Sequence, residues 1–350
     1  NQFHYINLKT KKFFIYTHKY YIKLNMNILI TGGAGYIGSH ITEQLINKKN
    51  NIIILDNLET GFKKLINKKA IFIKGDIKDK KKLISILNKY KIETIFHLAA
   101  YLNVREAEKY KLKYKKNNIQ GTKNLLLSCK NSTVKNFIFS SSCSVYGNVK
   151  GSVSETKKLN PQSYYGYTKY KGEELIKKYS KKFNYNYGLL RYFNVAGASS
   201  SGKIGEIEKS HGHLIKNLAI QSLKKNSVIS IYGKDYPTKD GTCVRDYIHV
   251  VDLASIHIIG MSYLNKVKKS FIINCGYGKG YSVQEIVNIF KKNKKNLSIK
   301  YEKRRPGDIA QVYSNTKKIQ NLFKWKPKHN NINKIIKSAI NWEKKISTIK

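Results

Sequence analysis

An α/β fold is what this sequence predicts: a Rossmann-type doubly wound parallel sheet carrying a smaller mixed α/β substrate lobe. Three observations predict it. Gly32, Gly35 and Gly38 are spaced three residues apart where a strand turns into a helix. Short apolar runs such as Asn51–Asp56 then alternate with helical stretches, the mark of a sheet covered on both faces. Beyond residue 195 that alternation gives way to sparser strands.

Taken in order, Asn27–Thr31 reads as a strand, Gly38–Lys48 as a helix, and Asn51–Asp56 and Ala70–Lys74 as strands. Lys80–Tyr90 follows as a helix, Thr94–Leu98 as a strand, Gly121–Cys129 as a helix and Asn136–Ser140 as a strand. Pro161–Lys181 is a long helix leading to a strand near Tyr187–Tyr192. In the second half, His213–Lys224, Ser282–Lys291 and Asn333–Lys345 read as helices, and Val228–Tyr232 and Phe271–Cys275 as strands. The expected division is a dinucleotide-binding domain over 26–195 and a mainly substrate-binding lobe over 196–345, with the stretch near 240–262 returning to the first domain. Residues 1–25 are expected to be an extra segment, disordered or not native, with Met26 as the true start; mass spectrometry of the N-terminus tests this, and peptides from 1–25 would refute it.

Composition narrows the functional classes. Lys and Arg number 67 against 21 Asp and Glu, a net charge of +46. The lysines are dispersed rather than gathered in a patch, and Lys, Asn, Ile and Tyr are abundant while Pro, Met and Trp are scarce. An AT-rich coding bias accounts for this, and no specific nucleic-acid partner is expected. A salt-dependent shift of DNA without sequence preference would be the sign of such binding, and would not exclude an enzyme. No apolar run reaches the roughly 20 residues that span a bilayer, so a soluble protein without a membrane partner is expected. Cys129, Cys143, Cys243 and Cys275 are not in C-x-x-C spacing, which suits a reducing cytoplasm and argues against a disulfide framework or a metal site.

The glycine turn carries the first chemical signal. Its residues let the backbone approach a pyrophosphate seated on the helix N-terminus. The next strand ends in Asp56, whose carboxylate accepts from an adenosine ribose and repels a 2′-phosphate, so NAD is the expected cofactor. The second signal is Tyr165-Gly166-Tyr167-Thr168-Lys169. Tyr165 and Lys169 are i and i+4 and share a helix face. A free phenol, with a pKa near 10, is a poor base at neutral pH. The Lys⁺ and a cationic nicotinamide are expected to lower it, giving a base for a hydroxyl proton. In a chain rich in Tyr and Lys the pair alone also fits a solvated helix face. Ser142, at the end of a sheet strand, either forms a turn or holds the reacting hydroxyl near Tyr165.

With these residues in view, TGGAGYIGSH, LDNL, KNFIFSSSCSVYG, RYFNVAGA, DGTCVRDYIHVVDLA and RRPGD stand in the order and spacing of a known family. The chain resembles the UDP-glucose (UDP-galactose) 4-epimerases of the extended short-chain dehydrogenase/reductase superfamily, from Met26 to about Trp342. The resemblance implies a homodimeric isomerase of galactose metabolism that keeps NAD⁺ tightly bound while the sugar is oxidised and re-reduced at C4. It assigns Tyr36 and Ile37 to the pyrophosphate, Asp56 and Asn57 to the ribose, and Asp76 and Ile77 to the adenine. Leu98, Ala99 and Asn117 line the cofactor, Phe193 borders the nicotinamide, and Ser142, Tyr165 and Lys169 are catalytic. Asn194, His213, Leu214, Tyr232, Arg245, Arg305 and Asp308 line the UDP-sugar, the two arginines suiting its diphosphate.

Some positions depart from the family. Leu102 and Arg105 replace the Lys and Gly of some members, which puts the contacts of that loop in doubt. Val312 replaces a bulky Tyr of some members, leaving room for an N-acetyl group. A 4,6-dehydratase needs an acid pair where this chain has Cys143 and Ser144. A UDP-glucuronate epimerase or decarboxylase stays open as an alternative. A non-catalytic NAD sensor is expected to lose the Tyr/Lys pair that this chain keeps.

Overall fold

The structure, a computed structural model, describes residues 14–17, 20–23, 25–207, 213–293, 297–305 and 308–348. Its centre is a seven-stranded, all-parallel sheet in the order Phe271–Cys275, Asn186–Tyr192, Asn136–Ser142, Thr94–His97, Asn27–Thr31, Asn51–Asp56, Ile71–Lys74. The strand order reverses between Asn27–Thr31 and Thr94–His97. Doubly wound sheets bind ligands at such a reversal, beyond the carboxyl ends of the strands.

The alternation along a strand explains the two cores. Ile28 and Ile30 face one side with Ile41, Leu45 and Ile54. Leu29 faces the other with Ile53, Ile95, Phe137 and Leu126. Full burial of each such side chain contributes about 2 kcal/mol. The first core is closed by the helix Val250–Val267, which contributes Leu253, Ile256, Met261 and Leu264. The strand that follows it, Phe271–Cys275, extends the central sheet through register Phe271↔Gly188. This corrects the division at residue 195, which places that strand in the second lobe.

The smaller lobe contains a sheet ordered Asn194–Ala196, Val244–His249, Gln311–Ser314, Lys150–Val153, with Gly280–Ser282 antiparallel to Val244–His249. Ser227–Tyr232 and Leu297–Glu302 form a separate parallel pair. Lys150–Val153 therefore leaves the first half of the chain to join this lobe. Phe14–Thr17 and Tyr20–Lys23 pair antiparallel; the rest of the first 24 residues, and with them most of the expectation about 1–25, lie outside the described residues.

Helix ends follow local chemistry. The long helix begins at Tyr164 rather than Pro161, because the Ser163 hydroxyl accepts from the Gly166 amide at 3.1 Å and fixes the first turn there. It ends at Asn184, whose left-handed backbone, with φ of 52°, stops it after Phe183.

Candidate active site

The glycine turn brings the chain's backbone to the strand reversal. Gly32 has φ of 75°, and a Cβ there would stand 2.7 Å from the Ala99 nitrogen. A Cβ on Gly38 would meet the Gly32 carbonyl and stand 2.7 Å from Gly33 Cα. Gly35 precedes the helix Tyr36–Ile46, and no side chain caps its N-terminus. The first-turn amides, Tyr36 and Ile37 among them, are thus left to an anionic ligand. The Tyr36 hydroxyl itself turns away and donates to the Gly197 carbonyl at 2.5 Å.

Around this turn the adenosine-side residues are braced. Asp56 accepts from the Ala34 amide at 3.0 Å and the Leu58 amide at 2.8 Å. Burial raises its pKa against those two hydrogen bonds. The Asn57 amide donates to Asp76 at 3.0 Å, and the Lys78 amide donates to the same carboxylate at 2.8 Å. For Asp76 burial is outweighed by those hydrogen bonds, which hold its carboxyl below the usual range. Ile77 fills the space left by Gly121, where a Cβ would be 2.6 Å from Ile77 Cδ1. The Leu98 amide donates to the Thr31 carbonyl at 3.0 Å and holds the Leu98-Ala99 turn beside the glycines. Asn117 is buried in a widened, π-type helical turn, Lys115–Gly121, and donates to Asn118 at 3.0 Å. Such turns recur at functional sites.

Tyr165, Lys169 and Ser142 meet where Asn136–Ser142 ends against the long helix. Ser142 lies close enough to the Tyr165 hydroxyl to oppose the rise of its pKa, and its own hydroxyl donates to Ser144 at 3.1 Å. The Lys169 ammonium lies 6.0 Å from the Tyr165 ring centre and donates to the Ser140 carbonyl at 2.7 Å and the Ser140 hydroxyl at 3.3 Å. Burial raises the Tyr165 phenol, with Ser142 opposing it. Lys169, the expected fixed cation, is itself lowered to about 7 by burial. The chain's own residues therefore do not lower the phenol.

The UDP side continues from there. Phe193 is buried with Val145, Tyr146 and Val312, and Asn194 opens the adjoining short strand. His213 shares a 2.6 Å hydrogen bond with Glu206 and precedes the helix that starts at Leu214. The Arg245 guanidinium opposes the burial that pushes the Cys143 thiol up to about 11, and Arg245 pairs in register with Val312, in whose cluster Cys143 packs. Asp308 joins Arg245, at 4.0 Å, to Arg305, at 2.7 Å. Arg305 in turn lies over the Tyr232 ring, 5.0 Å from its centre. Pro306 and Gly307 lie outside the described residues.

Two features escaped the sequence. Arg105, from the loop whose contacts were in doubt, also sits over Tyr232, at 5.2 Å. Beneath the catalytic helix, Glu173 takes a fork from Arg191 at 2.9 and 2.7 Å and a hydroxyl from Ser141 at 2.6 Å, all buried. Arg191 goes on to Tyr146 at 3.0 Å, and Tyr146 to Asn274 at 2.7 Å. A signal was available. The chain has five arginines, Arg105, Arg191, Arg245, Arg304 and Arg305, and a residue so sparingly used among lysines is suited to forked recognition.

The model of the NAD dependent epimerase/dehydratase family matches residues 28–276. The UDP-glucose 4-epimerase of Lactobacillus helveticus is 41% identical over 322 residues, covering 91% of this chain and 97% of that one. The chain belongs to the UDP-glucose 4-epimerase family. It is thereby an isomerase of the NAD-dependent class. The same architecture occurs in the Stenotrophomonas maltophila UDP-glucose-4-epimerase solved with NAD and formylated UDP-arabinopyranose. That structure has a TM-score of 0.87 and 32% identity, with 93% of this chain and 100% of that one covered. The Campylobacter jejuni UDP-Glc/GlcNAc 4-epimerase superposes with a TM-score of 0.79 and 38% identity, covering 92% and 100%. Among the described residues no helix is long and apolar enough to cross a membrane.

Proposed function

We propose that this epimerase interconverts UDP-galactose and UDP-glucose, with Tyr165 taking and returning the proton of the sugar C4 hydroxyl. One observation carries the reading: Tyr165 and Lys169 meet Ser140 and Ser142 at the end of one strand, and Cys143, next along it, packs in the cluster of Val312, the register partner of Arg245, which Asp308 joins to Arg305 over Tyr232. A proton-transfer centre and an anion clamp thus lie side by side, as a sugar joined to a diphosphate requires.

The glycine cradle, the uncapped helix and the buried Asp56 fit NAD, with Asp56 and Asn57 at the ribose, Asp76 and Ile77 at the adenine, and Leu98, Ala99, Asn117 and Phe193 along the rest. Held there, NAD⁺ would supply reversible hydride exchange with the sugar C4, so that oxidation and re-reduction could occur on either face. The chain's residues do the remainder. Ser142 orients the phenol, Lys169 supplies a positive charge below about pH 7, and Arg245 and Arg305 anchor the diphosphate while the sugar turns over. Asn194, His213, Leu214 and Asp308 complete the lining. The decisive experiment incubates the purified protein with UDP-galactose, with and without added NAD⁺. UDP-glucose is expected in both, and its absence even with NAD⁺ would overturn the proposal.

Val312 supports a broader specificity. It is buried against Phe193 and pairs in register with Arg245, so the residue bordering the site is small. We infer turnover of UDP-N-acetylglucosamine and UDP-N-acetylgalactosamine; normal UDP-galactose turnover with neither sugar converted refutes it. Leu112 and Tyr167 stand exposed on adjoining helices, with exposed Tyr110 at the start of the first, and support a homodimer, to be checked by sedimentation. Four free thiols, with no disulfide among the described residues, support a cytoplasmic location.

A further inference from the structure

We propose that Arg105 is a third guanidinium of the diphosphate site, supplied across the cleft by the NAD-binding part of the chain. The inference deepens the UDP-sugar reading and rests on it. Arg105 lies on the short helix Val104–Lys109, whereas Tyr232 ends a strand of the opposite lobe. Arg105 and Arg305 stand 5.2 and 5.0 Å from the centre of that one ring. Two guanidiniums on one small ring repel each other, and of the two, among the described residues, only Arg305 has a carboxylate, Asp308. Arg245 shares the same carboxylate at 4.0 Å. The cluster therefore holds three cationic forks and one anion. A diphosphate, with two negative charges, balances it.

The carboxylates nearest Arg105 in sequence are engaged elsewhere. Glu106 takes the Lys113 ammonium at 2.9 Å and the Tyr114 hydroxyl at 3.1 Å. Glu108 takes the Tyr164 amide at 2.6 Å. Among the described residues Arg105 has no carboxylate partner. Its loop is nonetheless built rather than loose. Asn103 caps the helix by accepting from the Glu106 amide at 3.0 Å, and its carbonyl accepts from Tyr114 at 2.8 Å. A fixed, exposed guanidinium without a carboxylate, beside two others, is arranged for an anion, and its planar fork matches phosphate oxygens. Occupancy by the diphosphate would tie the two lobes together through it.

The test compares holoenzyme with Arg105→Gln and Arg105→Lys. UDP and uridine are each titrated as inhibitors of UDP-galactose turnover. Arg105→Gln is expected to weaken UDP about tenfold or more and raise the KM for UDP-galactose similarly, with uridine inhibition unchanged. Arg105→Lys, which keeps the charge and loses the fork, is expected to fall between. UDP inhibition within twofold of wild type in Arg105→Gln overturns the proposal. So does equal weakening of UDP and uridine, which would make Arg105 a packing partner of Tyr232. A wild-type protein that neither binds UDP nor turns over UDP-galactose refutes the UDP-sugar reading instead.

Discussion

Lys169→Met tests whether the buried lysine of the helix Tyr164–Phe183 is as dehydrated as its surroundings imply. Lys169 is 3% exposed. Its ammonium donates to the carbonyl and hydroxyl of Ser140 and, among the described residues, has no carboxylate beside it. Burial lowers its pKa from 10.5 to about 7. Between these values the unfolded chain holds a proton that the folded chain has released, so this group's unfavourable contribution shrinks as pH rises from about 7 towards 10.5. A tenfold loss of proton affinity is worth about 1.4 kcal/mol. The full penalty, reached below about pH 7, is then about 5 kcal/mol, and between pH 6 and pH 9 the linkage amounts to about 3 kcal/mol. Methionine, of similar length and uncharged, carries no such penalty. Urea unfolding of wild type and Lys169→Met at pH 6 and pH 9, at equal NAD concentration, isolates the difference. The variant is expected to gain stability relative to wild type, and to gain about 3 kcal/mol more at pH 6 than at pH 9. Parallel stability profiles, differing by less than about 0.5 kcal/mol across that range, would refute the desolvation argument.

Other substitutions probe the remaining parts. Tyr165→Phe is expected to retain NAD and lose turnover by about 10²- to 10⁴-fold, the usual worth of a positioned acid–base group; wild-type kcat would remove Tyr165 from that role. Gly38→Ala drives a methyl into the Gly32 carbonyl and against Gly33 Cα, backbone that cannot step aside, so purified protein should carry far less NAD by absorbance. A full complement of NAD would show that the turn tolerates the methyl. Glu173→Ala leaves Arg191 charged and unpaired in the core and is expected to cost about 3–5 kcal/mol in urea unfolding, while Glu173→Leu with Arg191→Met costs less than the single change. A single-variant loss below about 1 kcal/mol would show that Arg191 finds another partner.

Much of the fold was legible because periodicity is local. Ile28, Leu29 and Ile30 are apolar without interruption since both faces of their strand are covered, and Asn51–Asp56 was readable to the residue for the same reason. Legibility failed where partners are distant. Lys150–Val153 offers Lys, Gly and Ser before its first apolar residue, and pairs with Gln311–Ser314 from the far end of the chain. The site divides in the same way. Tyr165 and Lys169 lie one helical turn apart, so the sequence alone could place them on one face. Whether the pair's charge state suits it to take a proton depends on burial, which no spacing encodes and which raises Tyr165 and lowers Lys169.

The net charge of +46 bears on how that burial acts. Most lysines of this chain are solvated, and its scarce carboxylates are committed to structure. Glu173 braces Arg191, Glu343 meets buried Lys216, and Asp246 accepts from the Tyr277, Gly278 and Ser314 amides. Lys169 is buried without such a partner among the described residues. A carboxylate near it would have raised its pKa and fixed its charge. Without one, burial leaves the lysine's pKa at about 7, where a charge placed beside it would shift its protonation near neutral pH. The two buried groups, raised phenol and lowered amine, each favour the uncharged form, and each is destabilised most when it stands charged alone. A pair so arranged is sensitive to any charge placed beside it, because each group's protonation then shifts against the cost of burial.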